Sequence, residues 1–365
     1  MKSGLNIADF AAEIRRQAEQ KHDYVMPTGV IDVIPNPAND RDVQIAVPTK
    51  AGTQLFEAND VFHDQLASHL SIPRDYYRRM LTTDRELFLH NAQYWVKSAQ
   101  IKDEKRLIRT LDTKARALLS NGFRTIDNFG LAEAVLPVLQ AHGMNLGNTV
   151  EFSANVTDKK FYIKAVNTKL KSEVKVGEVI SAGIQISNSE VGFGSVEISP
   201  LIFTLRCSNG MVMQDFSLKR RHVGKRHETI DVAYELLTDE TRRAQDAAFF
   251  LEVRDRTKHA LDEAVFAKTV ERLKGAAAEK ITGDINAVLD VTRSTLGVTK
   301  DEQGGVLKYL AEGGDLSRWG LSSAITRFSQ DVDDYDRASE LERIGGEVIE
   351  LSQRDWRRIA EATAN

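Results

Sequence analysis

The pattern of apolar and polar positions changes character twice along the chain. In the first 20 residues, Leu5, Ile7, Phe10, Ala11 and Ile14 recur at helical spacing between charges, which predicts an amphipathic helix and no signal peptide. Pro27, Pro35, Pro37 and Pro48 then break that period, so residues 23–53 are expected to be extended, with strands at 30–34 and 43–47. Asn59 or Asp60 offers an N-cap for a helix running to His69 with Val61, Phe62 and Leu66 on one face. A second helix starts at Pro73 and carries Tyr76, Tyr77 and Met80. A third, over 84–98, places Leu87, Phe88, Asn91, Tyr94 and Trp95 on one stripe. That stripe reads as core, with Tyr94 or Trp95 as an alternative face for stacking a base.

From residue 107 the period shortens towards two. A strand is expected at 107–111, a short helix or continued strand at 113–119, and a helix at 131–140 capped by Asn128. Strands at 150–156 and 160–166 flank the turn Thr157-Asp158-Lys159. Residues 177–226 are the densest stretch, with apolar runs at 179–186, 196–198 and 201–205. These are separated by Asn188-Ser189, Gly192-Phe193-Gly194 and Ser208-Asn209-Gly210, of which Asn209-Gly210 suits a tight turn. After Ile230 the helical period takes over, with long helices within 232–280 and further ones at 287–296, 304–310, 321–328 and 335–344. Thr299 and Glu302 form a capping-box pair. The fold expected is α+β: a mixed N-terminal region (1–106), a strand-rich core with a basic edge (107–229) and a helical C-terminal region (230–365). Its centre is a curved antiparallel sheet backed by helices.

Several of these segments resemble a known family. NSEVGFG (188–194), CSNGM (207–211) and RRHVGK (220–225) are joined by IPRDYYRRM (72–80), IRTLDTKARALLSNGFRTIDN (108–128) and WGLSSAITRFSQDVDDYDRASELERIGGEV (319–348). In this order they look like a family of phage- and plasmid-borne proteins that carry a domain of unknown function. The resemblance covers nearly the whole chain and implies a phage or plasmid origin and work in a bacterial host's cytoplasm. It supplies no activity.

Composition narrows the chemistry. A net charge of −4 means that any anion-binding surface is local. The single cysteine, Cys207, excludes an internal disulfide or a multi-thiolate metal site and reads as a buried thiol. No apolar run approaches the roughly 20 residues that span a bilayer, so a soluble, cytoplasmic protein without a membrane partner is expected.

Nucleotide motifs fail: Gly192-Phe193-Gly194 lacks a third glycine and a following helix, and no phosphate-binding G-x-x-x-x-G-K run occurs, so no cofactor is expected. Ser189 and Ser195 are outside any G-x-S-x-G setting. Glu173-Val174-Lys175 with Asp158 would match an E-x-K nuclease half-site. His222, His227, Asp215 and Glu228, with Asp231 beyond, are the alternative metal set, although the neighbouring arginines repel a cation. The acids Asp331, Asp333, Asp334 and Asp336 lack the glycine and final glutamate of a calcium loop and read as a solvated helix end.

The basic residues carry the leading expectation. By period two, Lys160, Tyr162 and Lys164 share what should be an outward face, and Lys219, Arg220, Arg221, Lys225 and Arg226 form a strip at the sheet edge. Arg109, Arg116 and Arg124 extend the track, and Tyr162 and Phe123 offer stacking planes. Together they describe a nucleic-acid-binding protein of DNA metabolism, without enzymatic activity, that holds or anneals single-stranded DNA in recombination or replication, as a homo-oligomer. The alternatives are a metal-dependent hydrolase centred on His222 and a self-assembling or host-factor-binding, anti-defence protein that uses the long C-terminal helices.

Overall fold

The structure, a computed structural model, describes residues 1–144, 146–147, 150–205, 208–214, 218–220 and 239–363. It opens with α1 (Ile7–Gln20), capped by Asn6, whose Oδ1 accepts from the amides of Ala8 and Asp9. Six strands then build the first sheet: β1 (Lys21–Pro27), β2 (Asp32–Pro35), β3 (Val43–Thr49), β4 (Gly52–Ala58), β5 (Lys105–Leu111) and β6 (Lys114–Ser120), in the order β1-β5-β6-β4-β3-β2. The β4–β6 pair is parallel, and a parallel pair needs a long crossover. Helices α2 (Asp60–His69), α3 (Arg74–Thr83) and α4 (Arg85–Val96) lie within that connection. Their apolar stripes, with Phe62, Leu66, Tyr77 and Phe88, close a core over Ile45 and Ile108. The Asn59 cap forms as expected, its Oδ1 accepting from Phe62 at 2.9 Å.

The second sheet holds β7 (Phe152–Val156), β8 (Phe161–Lys175), β9 (Glu178–Asn188), β10 (Val196–Thr204) and β11 (Asn209–Val212), in reverse sequence order. These five antiparallel strands curl into a half-barrel, and β12 (Leu218–Arg220) pairs with the start of β10. The two apolar runs around Ser199-Pro200 form a single strand. β10 is flanked on one side by β12 along 196–198 and by β11 along 201–204, so Pro200 falls between two short partners where its missing N–H breaks no ladder.

One face of β8–β10 presents Phe161, Ile163, Ile184, Ile186 and Ile198. It packs on α1, on α5 (Asn128–Ala141) and on α6 (Asp239–Ala260) through Phe10, Leu131, Val135 and Phe249. The chain ends in α7 (Glu263–Ala278), α8 (Ile285–Leu296), α9 (Lys300–Gly313), α10 (Arg318–Phe328), α11 (Tyr335–Glu350) and α12 (Gln353–Ala360). The capping box at Thr299 and Glu302 is present.

Two expectations change. The strands at 105–111 and 114–120 belong to the first sheet, because their edges pair with β1 and β4; period-two patterning places a strand but not its partner. Asn209 and Gly210 begin β11, and the positive φ of that turn, 52°, falls on Ser208. No helix of the described residues is long and apolar enough to cross a membrane.

Candidate nucleic-acid interface

The loop Asn188–Gly194 ties the two sheets together, and its chemistry explains two of the expected phosphate ligands. Glu190 is 3% exposed. Its Oε1 accepts from the Asn128 amide at 2.8 Å, which makes it an N-terminal cap supplied to α5 from another element. Its Oε2 pairs with Arg116 at 3.3 Å, and its carbonyl accepts from Arg109 at 2.9 Å. Arg109 also pairs with Asp23 at 2.8 Å and Asp127 at 3.1 Å. Burial works against the Arg109 charge, but Glu190 and Asp23 outweigh it and raise its pKa. Asn188 donates to the Ile126 carbonyl, and Gln65 links the Val191 carbonyl to the Leu118 amide. Arg109 and Arg116 are therefore interior ion-pair partners, which corrects their reading as an exposed track. Asn128, expected to cap α5, instead accepts from Asn188 through its side chain.

The outward face expected for Lys160, Tyr162 and Lys164 is corrected at Tyr162 and Lys164. Helix α11 covers it. Lys164 is fully buried, with its Nζ 2.6 Å from Glu342 Oε2 and 2.8 Å from Ser339 Oγ. Burial opposes its charge, yet Glu342 and Tyr335 raise its pKa, so it stays protonated. Tyr162, 3% exposed, donates to Asp336 at 2.9 Å. Alternation separates two faces of a strand; it does not say which face a distant helix will cover.

What stays at the surface is the end of the half-barrel where two turns meet. Ser189 Oγ accepts from the Phe193 amide at 2.8 Å and donates to the Lys159 carbonyl at 2.7 Å, fastening the 189–194 loop to the 157–160 turn. Gly192 makes the bend with φ +86°. Phe193 is thereby held out, 36% exposed, with Lys159 Nζ 5.7 Å from its ring centre. Lys160 is half-buried with its chain against Gly194. Antiparallel register sets the backbone of Lys219 opposite Glu197 and that of Arg220 opposite Val196, three residues beyond Phe193. On the other side of Gly192, Phe123 leads to Arg124, whose guanidinium lies 5.3 Å over the Phe249 ring and pairs with Asp246 at 2.8 Å.

The same end borders an acidic cleft of about 640 Å³ that holds Asp60, Asp64, Asp158, Asp334 and Asp336 together with Arg78 and Lys159. Asp334 caps α11, and Asp336 accepts from Thr157 and Tyr162, so these acids do serve a helix end. Glu173 and Lys175 sit at the far end of β8 from Asp158, and Lys175 pairs with Asp315, so the E-x-K combination is not assembled. Arg221, Lys225, Arg226, Cys207 and the set His222, His227, Asp215, Glu228 and Asp231 lie outside the described residues. Among the described residues no group of His, Cys, Asp and Glu could hold a metal ion.

Sequence reasoning passed over Lys159 and Phe193. The available signal was an aromatic residue between two glycines in a hairpin, beside a second turn ending in lysines. Tyr94, expected in the core, is 64% exposed. Comparison with protein-family models, curated proteins and solved structures finds no match.

Proposed function

We propose that the protein binds single-stranded nucleic acid across the end of the half-barrel where the 157–160 and 189–194 turns meet. The observation that carries this reading is the exposed Lys159–Phe193 pair, with Lys160 beside it and Lys219 and Arg220 next along the sheet edge. Lysines placed on phosphates release counterions, and an aromatic ring stacks any base for about 1–3 kcal/mol, so the pairing favours a flexible strand with accessible bases. Arg124 and Phe123 continue the track from the other side of Gly192. A phage or plasmid protein working in a host's cytoplasm, where recombination and replication expose single strands, fits this surface. The acidic cleft bounds the track on one flank.

The test is fluorescence anisotropy of a labelled single strand, and of its duplex, over a salt series. Lys159→Glu with Lys160→Glu should lower affinity and reduce the slope of log K against log salt by about 1.4, two single-strand phosphate contacts. Phe193→Ala should weaken binding at every salt concentration without changing the slope. A curve unmoved by both changes would remove this end of the sheet as the interface.

A further inference from the structure

Where the track passes Arg124 it reaches a cleft between α1, α5 and α6 of about 310 Å³. That is small for a drug-sized ligand but sufficient for a single planar ring system. Two of its walls are aromatic: the Phe249 and Phe250 rings lie 5.6 Å apart, tilted by 57°, and Phe129 lines the cleft from α5. Gly130 allows this arrangement, since a Cβ there would fall 3.0 Å from the Phe250 ring.

The polar lining is sparse and consists chiefly of Lys21, Thr125, Asp127 and Asp246. Lys21 binds Asp127 Oδ1 at 2.7 Å, and Arg109 binds the same oxygen at 3.1 Å. Burial alone would push the Asp127 carboxyl up, but Lys21 and Arg109 outweigh it and hold it below the usual carboxylate range. Asp127 is therefore an anchored, ionised acceptor at an aromatic-walled cleft. Arg124 stands at the rim, over Phe249.

We infer that this cleft takes up one unstacked nucleobase bearing an exocyclic amino group, drawn from the strand bound along the adjoining track. The inference rests on the proposed single-strand function. A carboxylate accepts from the amino group of cytosine. Thymine has no exocyclic amino group and offers the carboxylate only its N3–H, flanked by two carbonyl oxygens that repel it. The phosphate surface is indifferent to sequence, so base choice belongs to the cleft.

The experiment compares three labelled strands of equal length, oligo-dC, oligo-dT and an abasic backbone, against the full chain and against Ala18→Phe. Ala18 lies on α1 at the cleft, half-buried, so a phenylalanine there fills the space; Ala18→Leu is the smaller second variant if the melting temperature of the first falls. The expected result is oligo-dC bound about tenfold tighter than oligo-dT, a preference lost on filling the cleft while abasic binding is unchanged. Equal affinity for oligo-dC and oligo-dT, or a preference that survives in a folded filled variant, overturns the inference and leaves the track standing. If no strand binds, the single-strand function and the inference both fall. Titration with dCMP separates the sources. Uptake that is abolished by filling the cleft, with no strand bound, would assign the cleft to a free nucleotide and end its link to a strand.

Discussion

His69 sits at the end of α2 with its Nε2 2.8 Å from Thr28 Oγ1, and burial, helped by Arg106, lowers its pKa from 6.5 to about 4. The unfolded chain therefore binds a proton that the folded chain refuses between those values, and stability must fall as pH drops from 6.5 towards 4. Above 6.5 this contribution is complete. His69→Gln should flatten that segment of the profile, read as the urea midpoint at pH 7 and pH 4.5; an identical slope in the variant would show that other groups cause the loss. At this scale the sequence was least informative. Tyr162 and Lys164 have the alternation of a solvated face, and Arg109 and Arg116 that of a basic track, yet all four are buried with acids from distant elements. A side chain is buried where its partner arrives, and for Tyr162 and Lys164 the partners are Asp336 and Glu342, more than 170 positions away. Lys159 and Phe193 lie on turns, where periodicity has nothing to say.

Helix α11 meets the half-barrel through both polar and backbone contacts. Gly346 brings it so close that a Cβ there would collide with the Val212 carbonyl, while Gly345 does the same towards Thr326 of α10. Farther along, the Lys164–Glu342 pair lies fully buried under it. Removing one partner leaves an uncompensated charge, so Glu342→Leu should cost about 3–5 kcal/mol, while Lys164→Met with Glu342→Leu should recover most of that loss. Chemical denaturation of the three proteins decides it: a double variant as unstable as the single would mean that the pair itself, and not the orphaned lysine, carries the stability. Of the helix caps, Asn59 and Thr299 were marked in the sequence, Asp84 and Ser317 were not read, and Asn128 proved to be capped by Glu190. Asn59, Asp84, Thr299 and Ser317 each accept an amide in the first turn of the helix they precede, because a cap is a local device written in local residues. Strand partners were not legible, since β5 and β6 look alike whether they join the first sheet or the second.

At the scale of the whole molecule, a buried carboxylate gathers several of the contacts that join the two sheets. Glu190 anchors Arg116, the α5 amide and, more weakly, Lys21, while its carbonyl holds Arg109. Glu190→Ala strands the buried Arg116 guanidinium and uncaps α5, while Arg109 keeps the residue-190 carbonyl, Asp23 and Asp127, a loss of about 3–5 kcal/mol. It should also divide unfolding. Trp95 reports on the first sheet's helices, and Trp319 and Trp356 report on the C-terminal region. Their fluorescence transitions in urea, measured in single-tryptophan versions, should coincide in the parent protein and separate in the variant. Coincident transitions in both would mean that other contacts suffice to couple the halves.

The loop that carries Glu190 has a consequence for how such a chain can diverge. Its backbone and side chains bond to Gln65, Arg109, Arg116, Ile126 and Asn128, which come from four separate elements and the approach to one of them. None of these can drift alone without leaving a buried donor or acceptor unmatched. Descendants of this sequence should therefore keep or exchange them as one block, while Lys159 and Phe193, which only the surface uses, remain free to be retuned one at a time.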